Sequence, residues 1–436
     1  ILAGLGLYIF LRQRDLSQLY RSSVVVLSLI FTVIIYLMGN RTRFRDVFYT
    51  YAQFQEVSWD SVSENVYMNM RAPYSRPYQV ELQEGYTVKP VTGAYYYGND
   101  SQVRFTGDEA CKVDISHLED ATRVTVRDVP AFEPRYFQMD KTVKNEDQIG
   151  FYGSLEIDHG KISGEITSQF KEKMENCTVF FNDKLIYLGD VEPGQTVEVG
   201  NYPVLEYPQN HSFDVASYLS GQSAFDQADI EDDAYVEAVE KTNLLSFYLD
   251  YYMPSYLSAA RVVGIKTNSG SHSGLIRAGD VEGRTVASSN VDVYSSEDEI
   301  LYRQATQRQP KVISGNYDEN SNALFGMDPV TLEYSLGSDI WIQRLTMDFV
   351  SDEFLQNGSG TLLKFSGNIY FYNHSTGSFD KQEPAKRDYD SADLAPYLSP
   401  GNTITVKYVY ENNSEYNWDV LLPVLNVMGR TIDDRD

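Results

Sequence analysis

The sequence predicts a mainly β protein in which an N-terminal transmembrane helical hairpin is followed by two or more β-sandwich or jelly-roll domains with a helical insertion. Three observations lead to this prediction: an uncharged apolar run near the start, short strand-like runs over most of the remainder, and one amphipathic helix between two groups of these strand-like runs. The 436 residues suffice for two or three domains, each burying its own core.

The apolar run from Ser22 to Gly39 carries no charge, and its length is close to the ~20 residues needed to cross hydrocarbon. Its apolarity on every side argues against a helix that packs one face on a core. A shorter apolar run, Ile1 to Leu11, precedes it across the polar stretch Arg12–Arg21. We expect the two runs to form a hairpin whose first helix is truncated, because the chain starts inside an apolar run.

The hairpin's arginines flank both sides of the second run, so the positive-inside rule does not decide its orientation. The chain has a formal net charge of -26, and its first 46 residues are basic, so the remainder is strongly acidic. The anionic cytoplasmic leaflet would repel an acidic domain. We therefore expect a lipid-membrane anchor in the cell membrane, with the bulk of the chain extracytoplasmic.

The composition excludes nucleic acid as a partner and favours an ordered β protein. Asp and Glu number 62 against 36 Lys and Arg, whereas nucleic-acid binding needs basic side chains to neutralise phosphates. The 34 Tyr and 21 Phe supply enough apolar bulk to offset the entropy cost of folding. Tyr, Val and Thr favour strands.

Individual strands follow from local patterns. Thr122–Arg127 and Asn290–Tyr294 alternate apolar with polar residues, which predicts strands with one wet face. Cys177–Phe181 and Asn368–Tyr372 are nearly continuous apolar runs and predict strands that are buried on both faces or lie between sheets.

A repeated turn favours two sandwiches. Pro193–Val199 and Pro400–Val406 share Pro-Gly-x-Thr-x-x-Val, the pattern of a Pro-Gly turn that enters a strand. Chance is the alternative, because Pro-Gly turns are common.

One soluble helix is predicted from Asp229 to Tyr252, with acidic residues in its first turn and Pro254 after its end. Its apolar residues follow three- to five-residue steps at Val236, Val239, Leu244, Phe247 and Tyr251. Either this stripe packs on a sheet, which we favour, or it is a docking face for a partner. The predicted domains are a transmembrane hairpin (1–46), a β-sandwich region (47–205), a helical connector (206–262) and a C-terminal jelly-roll-like β-sandwich (263–436).

The sequence predicts no catalytic residue, no cofactor and no metal site. No two of the five histidines stand at the spacing that places ligands on one helix face. Cys111 and Cys177 lie outside any CxxC motif, and they form either one disulfide or two separate buried thiols.

The densest aromatic run, Tyr95, Tyr96 and Tyr97 before a Gly-Asn-Asp turn, is a candidate surface for a ligand or partner. Aromatic rings can lie on the faces of sugars. Strand alternation sends neighbouring rings to opposite sides, however, so the three rings cannot form one flat platform. Core packing is the favoured alternative.

Several C-terminal motifs resemble the closing strands of galactose-binding-like jelly rolls: Phe371–Asn373, Ser378–Asp380, Asp393–Leu398 and Pro400–Val406. Together with the hairpin, its basic collar and the stretch Tyr187–Gly194, the arrangement resembles uncharacterised membrane proteins of Gram-positive, Firmicutes-type bacteria. The resemblance implies a surface-exposed β protein associated with the envelope or with a transporter, and it brings no catalytic residues.

These observations lead us to expect a membrane-anchored, extracytoplasmic binding or scaffold protein, not an enzyme, that recognises a glycan or a protein partner in the cell envelope. Two alternatives stay open. One is an envelope polysaccharide hydrolase with carboxylates assembled from distant strands. The other is an accessory subunit whose hairpin packs on a transporter.

Overall fold

The computed structural model shows a mainly β protein built from several sheets. It describes residues 20–42, 47–91, 95–97, 103–105, 112–127, 129–158, 161–208, 211–253, 260–266, 274–276, 280–295, 300–304, 309–324, 326, 328–357, 362–410 and 419–431.

The predicted transmembrane hairpin is wrong. No helix among the described residues is both long enough and apolar enough to cross a membrane. Helix α1 (Tyr20–Thr42) includes Arg21, Asn40 and Arg41, so its apolar stretch is shorter than the helix itself. The first predicted run, Ile1 to Leu11, lies outside the described residues.

The strands up to residue 295 are β1 (Phe48–Val57), β2 (Ser61–Arg71), β3 (Tyr78–Gln83), β4 (Thr87–Val91), β5 (Tyr95–Tyr97), β6 (Val103–Phe105), β7 (Val113–His117), β8 (Ala121–Val126), β9 (Pro134–Lys144), β10 (Phe151–Asp158), β11 (Lys161–Ser168), β12 (Met174–Phe181), β13 (Lys184–Val191), β14 (Thr196–Glu198), β15 (Val204–Glu206), β16 (Ala260–Lys266) and β17 (Asp280–Ser295).

The later strands are β18 (Ile300–Gln304), β19 (Lys311–Ser314), β20 (Tyr317–Asp318), β21 (Ala323–Leu324), β22 (Val330–Ser335), β23 (Ile340–Asp348), β24 (Leu362–Lys364), β25 (Asn368–Asn373), β26 (Ser378–Lys381), β27 (Asp388–Asp390), β28 (Thr403–Val409), β29 (Asp419–Leu421) and β30 (Val424–Thr431). The helices after α1 are α2 (Ser212–Ser220), α3 (Asp233–Tyr251), α4 (Asp352–Asn357) and α5 (Ser391–Leu394).

A large sheet organises the first two-thirds of the chain in the order β15-β13-β12-β16-β17-β1-β2-β9-β4. Its central strand is β17, which pairs in parallel with β1 and antiparallel with β16. The end of β17 also pairs in parallel with β10, which joins β10, β11 and β14 to the same sheet. Because β1 and β17 are far apart in sequence, this sheet depends on long-range pairing.

One face of the large sheet covers two apolar cores. Strands β1, β2, β4 and β9 enclose the first core together with a smaller sheet of β3, β8 and β7, and Tyr51, Met68 and Leu82 are buried there. The second core lies between β10–β11–β14 and β12–β13–β16–β17, and Phe151, Cys177 and Val262 are buried in it. Side chains alternate along each strand, so the residues between these core positions face the opposite side.

Helices α2 and α3 cover part of that opposite side. The Asp232 carboxylate caps α3 by accepting a hydrogen bond from Ala234 N at 2.9 Å. The side chains of α3 that are fully buried are Ala238, Thr242, Leu244, Leu245 and Tyr248. The predicted helix is confirmed, but its buried face is rotated from the predicted stripe, since Val236, Val239 and Phe247 are only half-buried. Tyr251 is 52% exposed.

The C-terminal region encloses a separate core between the sheets β18-β30-β23-β27 and β19-β22-β28-β25-β26. Its centre holds Tyr334 and Tyr408, whose hydroxyls lie 3.0 Å apart in a fully buried hydrogen bond. Burial raises the pKa of both phenols. They therefore stay protonated and keep their hydrogen-bond donors.

A buried ionic junction joins this region to the β13 end of the large sheet. We define it as Asp183, Lys184, Glu206, Asp348 and Asn426. Lys184 Nζ lies 2.7 Å from the Asp348 carboxylate and 3.7 Å from those of Asp183 and Glu206. Asn426 Nδ2 donates to Asp348 at 2.6 Å and to Asp183 at 3.3 Å. Burial raises the pKa of Asp183 to about 6, while Lys184 lowers it and Asp348 raises it further.

Two predicted strands have the burial pattern that their sequences indicated. Thr122–Arg127 matches β8, which alternates as predicted, and Cys177–Phe181 is buried throughout within β12. Asn290–Tyr294 is the end of the 16-residue strand β17. The prediction that Asn368–Tyr372 is buried on both faces is wrong, because β25 buries Ile369 and Phe371 and leaves the alternate residues half-exposed.

Both copies of the Pro-Gly motif enter a strand, as predicted, but the turns differ. Gly194 takes the left-handed conformation in the first copy, at φ 74°, whereas Asn402 takes it in the second, at φ 54°. Asn402 Nδ2 also donates to the carbonyls of Gly337 and Ile340 at 2.9 and 2.8 Å. The second turn is thus fixed by a side chain that Gln195 does not reproduce.

Candidate ligand-binding cleft

A cleft of about 780 Å³ lies between α3 and the face of the large sheet that α3 covers. This volume falls within the range of small-molecule sites. The cleft is open to solvent at one side and mostly apolar. Its described lining consists of Thr50, Tyr51, Ala52, Phe54, Tyr67, Glu240, Asn243, Leu244, Phe247, Glu282, Gly283 and Arg284.

The floor of the cleft follows from strand register. Within β1, Thr50, Ala52 and Phe54 alternate toward the helix-covered face. Parallel pairing sets Thr50 opposite Glu282 and Ala52 opposite Arg284, and antiparallel pairing sets Tyr67 beside Ala52. The three strands therefore bring apolar, aromatic and charged side chains onto one surface.

The wall of the cleft is a single stripe of α3. Glu240, Asn243, Leu244 and Phe247 stand at i, i+3, i+4 and i+7, the spacing that places side chains on one helix face. This stripe overlaps the buried face of α3 at Leu244. The helix therefore packs on the sheet along one side and lines the cleft with the next.

Aromatic rings form the inner end of the cleft. The Phe54 ring stacks on Phe247 with centroids 5.3 Å apart and on Tyr252 at 4.6 Å. Tyr67 meets Phe247 edge to face at 5.4 Å, and the Tyr252 hydroxyl donates to the Tyr67 hydroxyl at 3.2 Å. Arg261 holds Tyr252 in turn, since its Nη1 donates to the Tyr252 carbonyl at 3.0 Å. The rings are therefore fixed before any ligand arrives.

Polar groups line the cleft as well. Arg284 Nε contacts the Glu240 carboxylate at 3.3 Å, and its Nη2 lies 3.5 Å from Glu237. Lys241 donates to Glu237 at 3.0 Å, and this hydrogen bond lowers the pKa of the Glu237 carboxyl. Glu282, two residues before Arg284 on β17, is exposed. The cleft thus combines aromatic rings with charged, solvent-exposed groups.

Gly283 permits the close approach of β1 and β17 at the floor. A Cβ at this position would lie 2.2 Å from the Tyr51 carbonyl oxygen and 2.4 Å from the Tyr51 ring. Real Cβ atoms do not approach backbone that closely. Any larger residue would push the two strands apart beneath the ligand-facing side chains.

The sequence-predicted aromatic surface lies elsewhere in the chain. Tyr95, Tyr96 and Tyr97 form β5, which pairs only with β6 in a two-stranded sheet within the described residues. The described lining of the cleft includes none of the three. Of the predicted apolar stripe on α3, only Leu244 and Phe247 line it.

The described residues contain no cluster of His, Cys, Asp or Glu arranged to hold a metal ion. Cys177 is a free, buried thiol whose Sγ donates to the Met174 carbonyl at 3.4 Å. Burial raises its pKa, so it stays an unreactive thiol. Cys111 lies outside the described residues.

Two family models match parts of the chain. Residues 150–300 match the model of a Domain of unknown function (DUF8725), and residues 299–429 match a Domain of unknown function (DUF8815). Each match spans less than half of the chain. The matches meet between β17 and β18, and the cleft draws Glu240 to Phe247 and Glu282 to Arg284 from the first.

No curated protein sequence matches the chain. Among solved structures, the yeast delta-COP-I mu-homology domain complexed with a Dsl1 WxWxV peptide is 9% identical and has a TM-score of 0.25. That match covers 57% of this chain and 97% of the yeast chain, and a score this low supports no conclusion about function. The resemblance to Gram-positive membrane proteins and the predicted domain boundaries stay predictions.

Proposed function

We propose that this chain is a carbohydrate-binding protein without catalytic activity, and that the cleft between α3 and the large sheet holds the sugar. The observation that carries the proposal is the joining of fixed aromatic rings with carboxylate and amide side chains in one cleft of suitable volume.

Sugars present apolar C–H faces and hydroxyl edges. Phe247 and Tyr67 offer apolar ring surface for such a face, and rings need few rotamers to be fixed on binding. Asn243, Glu240 and Glu282 offer donors and acceptors for hydroxyls. A purely apolar ligand would make no hydrogen bonds with these polar groups, whereas a saccharide would.

The exposure of the carboxylates supports binding over hydrolysis. Glycoside cleavage needs one carboxyl that keeps its proton near neutral pH, and burial in an apolar site is the usual cause. The Glu240 side chain is 59% exposed and Glu282 is exposed as well. Neither carboxyl is therefore buried in an apolar site.

The test is calorimetric titration of the protein with neutral tetrasaccharides of glucose, galactose, mannose and N-acetylglucosamine. We expect at least one to bind, and Phe247→Ala to weaken that binding by about tenfold, since an aromatic contact contributes ~0.5–1.5 kcal/mol beyond area burial. Trp59→Ala is the matched control, because Trp59 is 79% exposed in the turn at the other end of β1.

The proposal fails if no saccharide binds, or if Phe247→Ala and Trp59→Ala weaken binding equally. Chromatography of the tetrasaccharides after long incubation tests the absence of catalysis. Cleavage that disappears in Glu240→Gln would establish a hydrolase in the same cleft.

A further inference from the structure

The cleft has more acidic than basic side chains. Arg284 is the basic residue of the described lining, and it already contacts two carboxylates, those of Glu237 and Glu240. Neither an ion pair nor a hydrogen bond reaches the Glu282 carboxylate from the described residues. The cleft therefore keeps one acidic group ready for a ligand.

The position of Glu282 suits a cation attached to a sugar. Glu282 pairs in register with Thr50 at the floor, two residues from Arg284 on the same face of β17. Tyr67 and Phe247 line the same cleft, and aromatic rings also attract positive charge. The net charge of -26 adds a long-range attraction for cationic ligands.

We infer that the cleft selects saccharides that carry a free primary amine, with the ammonium group bound by Glu282 and the sugar ring lying on the Phe247 and Tyr67 rings. This inference rests on the proposed carbohydrate-binding function. It adds the chemical class of the ligand: an amino sugar with an unsubstituted amine rather than its N-acetylated form. N-acetylation removes the positive charge, so Glu282 would lose its partner without any change in ring shape.

The experiment titrates the full chain with the β-1,4-linked tetramer of glucosamine, the matching tetramer of N-acetylglucosamine, and spermidine. We expect the glucosamine tetramer to bind about fivefold to tenfold more tightly than the acetylated one, as for a charge-assisted hydrogen bond. Added salt should reduce that preference. Glu282→Gln should abolish the preference between the two tetramers, because it removes the negative charge that the ammonium group contacts.

Glu156→Gln is the matched control, because Glu156 is an exposed strand glutamate on β10 outside the cleft and its replacement removes the same charge. Equal affinity for the two tetramers overturns the inference while the carbohydrate-binding function stands. A preference that survives in Glu282→Gln, or that Glu156→Gln removes equally, also overturns it. Binding of spermidine with no binding of either tetramer overturns both proposals.

Discussion

The cleft and the buried ionic junction both gather several carboxylates around one basic side chain, but the carboxylates of the cleft are more exposed to water than those of the junction. Lys184 is 6% exposed among three carboxylates, and Asp183 is 1% exposed. Around Arg284, the partners Glu237 and Glu240 are 47% and 59% exposed. Similar chemistry therefore serves two purposes: the junction fixes one region of the chain against another, whereas the cleft keeps charge available for a ligand.

The largest effect is expected from removing the basic residue of the junction. Lys184→Met leaves three carboxylates together without a counter-ion, and breaking a buried pair in this way costs about 3–5 kcal/mol. Urea denaturation should show the loss. Lys311→Met is the control, since Lys311 is 71% exposed in its pair with Glu333 and such pairs contribute ~0–1 kcal/mol. If both variants lost a similarly small free energy of unfolding, the ion pairs of the junction would contribute no more than an exposed pair does.

Removing one acid from the junction, Asp183, should raise the stability of the protein, whereas removing Lys184 lowers it. A folded pKa of about 6 for Asp183 exceeds the ordinary value of ~3.9, so the native state binds more protons between these values. This group's contribution to stability falls as pH rises from about 4 to 6 and stays low above that. Asp183→Asn should therefore stabilise the protein at pH ~8 by on the order of 1–3 kcal/mol, with no difference below pH ~4.

Denaturation across the pH range measures this difference, and Asp147→Asn supplies a control in which an exposed carboxylate paired with Lys171 is removed. If Asp183→Asn destabilised the protein at pH ~8, the junction would need all three negative charges, and the comparison with the cleft would have to be revised.

At the cleft, the backbone is expected to matter more for stability than the charges. Gly283→Ala forces a Cβ against Tyr51 and should destabilise the protein by ~1–3 kcal/mol through overpacking. Gly200→Ala is the control, because its Cβ would meet Ser163 at an ordinary 3.5 Å. Thermal denaturation compares the two, and equal melting temperatures would mean that β1 and β17 do not approach closely.

The smallest effect is expected for Arg284→Met, the counterpart in the cleft of Lys184→Met. Solvent already stabilises Glu237 and Glu240, so the free energy of unfolding should change by less than ~1 kcal/mol. Binding of the glucosamine tetramer should strengthen, because one positive charge leaves the cleft. A stability loss as large as that of Lys184→Met would remove the distinction between the two sites.

The sequence was sufficient to predict those helices and strands whose local residue spacing determines their structure. Helix α3 followed from its acidic start and apolar steps, and β8 and β12 followed from their patterns. The rotation of the buried face of α3 was not predictable, since Leu244 and Phe247 look like core residues whether they contact a sheet or line a cleft. The transmembrane prediction failed because an uncharged run was taken as a whole membrane span.

The floor of the cleft could not be predicted from any local sequence pattern. Thr50 and Glu282 lie side by side only because β1 pairs in parallel with β17, and the sequence between the two strands does not indicate that register. Even the alternation of buried and less buried positions along β1 does not say which face of the sheet stays uncovered. Tyr95, Tyr96 and Tyr97 drew attention by density, whereas the cleft aromatics come from β1, β2 and α3.

A crystal structure of the chain with the saccharide that binds most tightly in solution would locate the binding site. We predict a sugar ring within ~4 Å of the Phe247 and Tyr67 rings, the distance of apolar contact, with its polar groups toward Glu240, Asn243 and Glu282. A saccharide bound at Tyr95–Tyr97 instead, with the cleft between α3 and β1 holding only solvent, would contradict it.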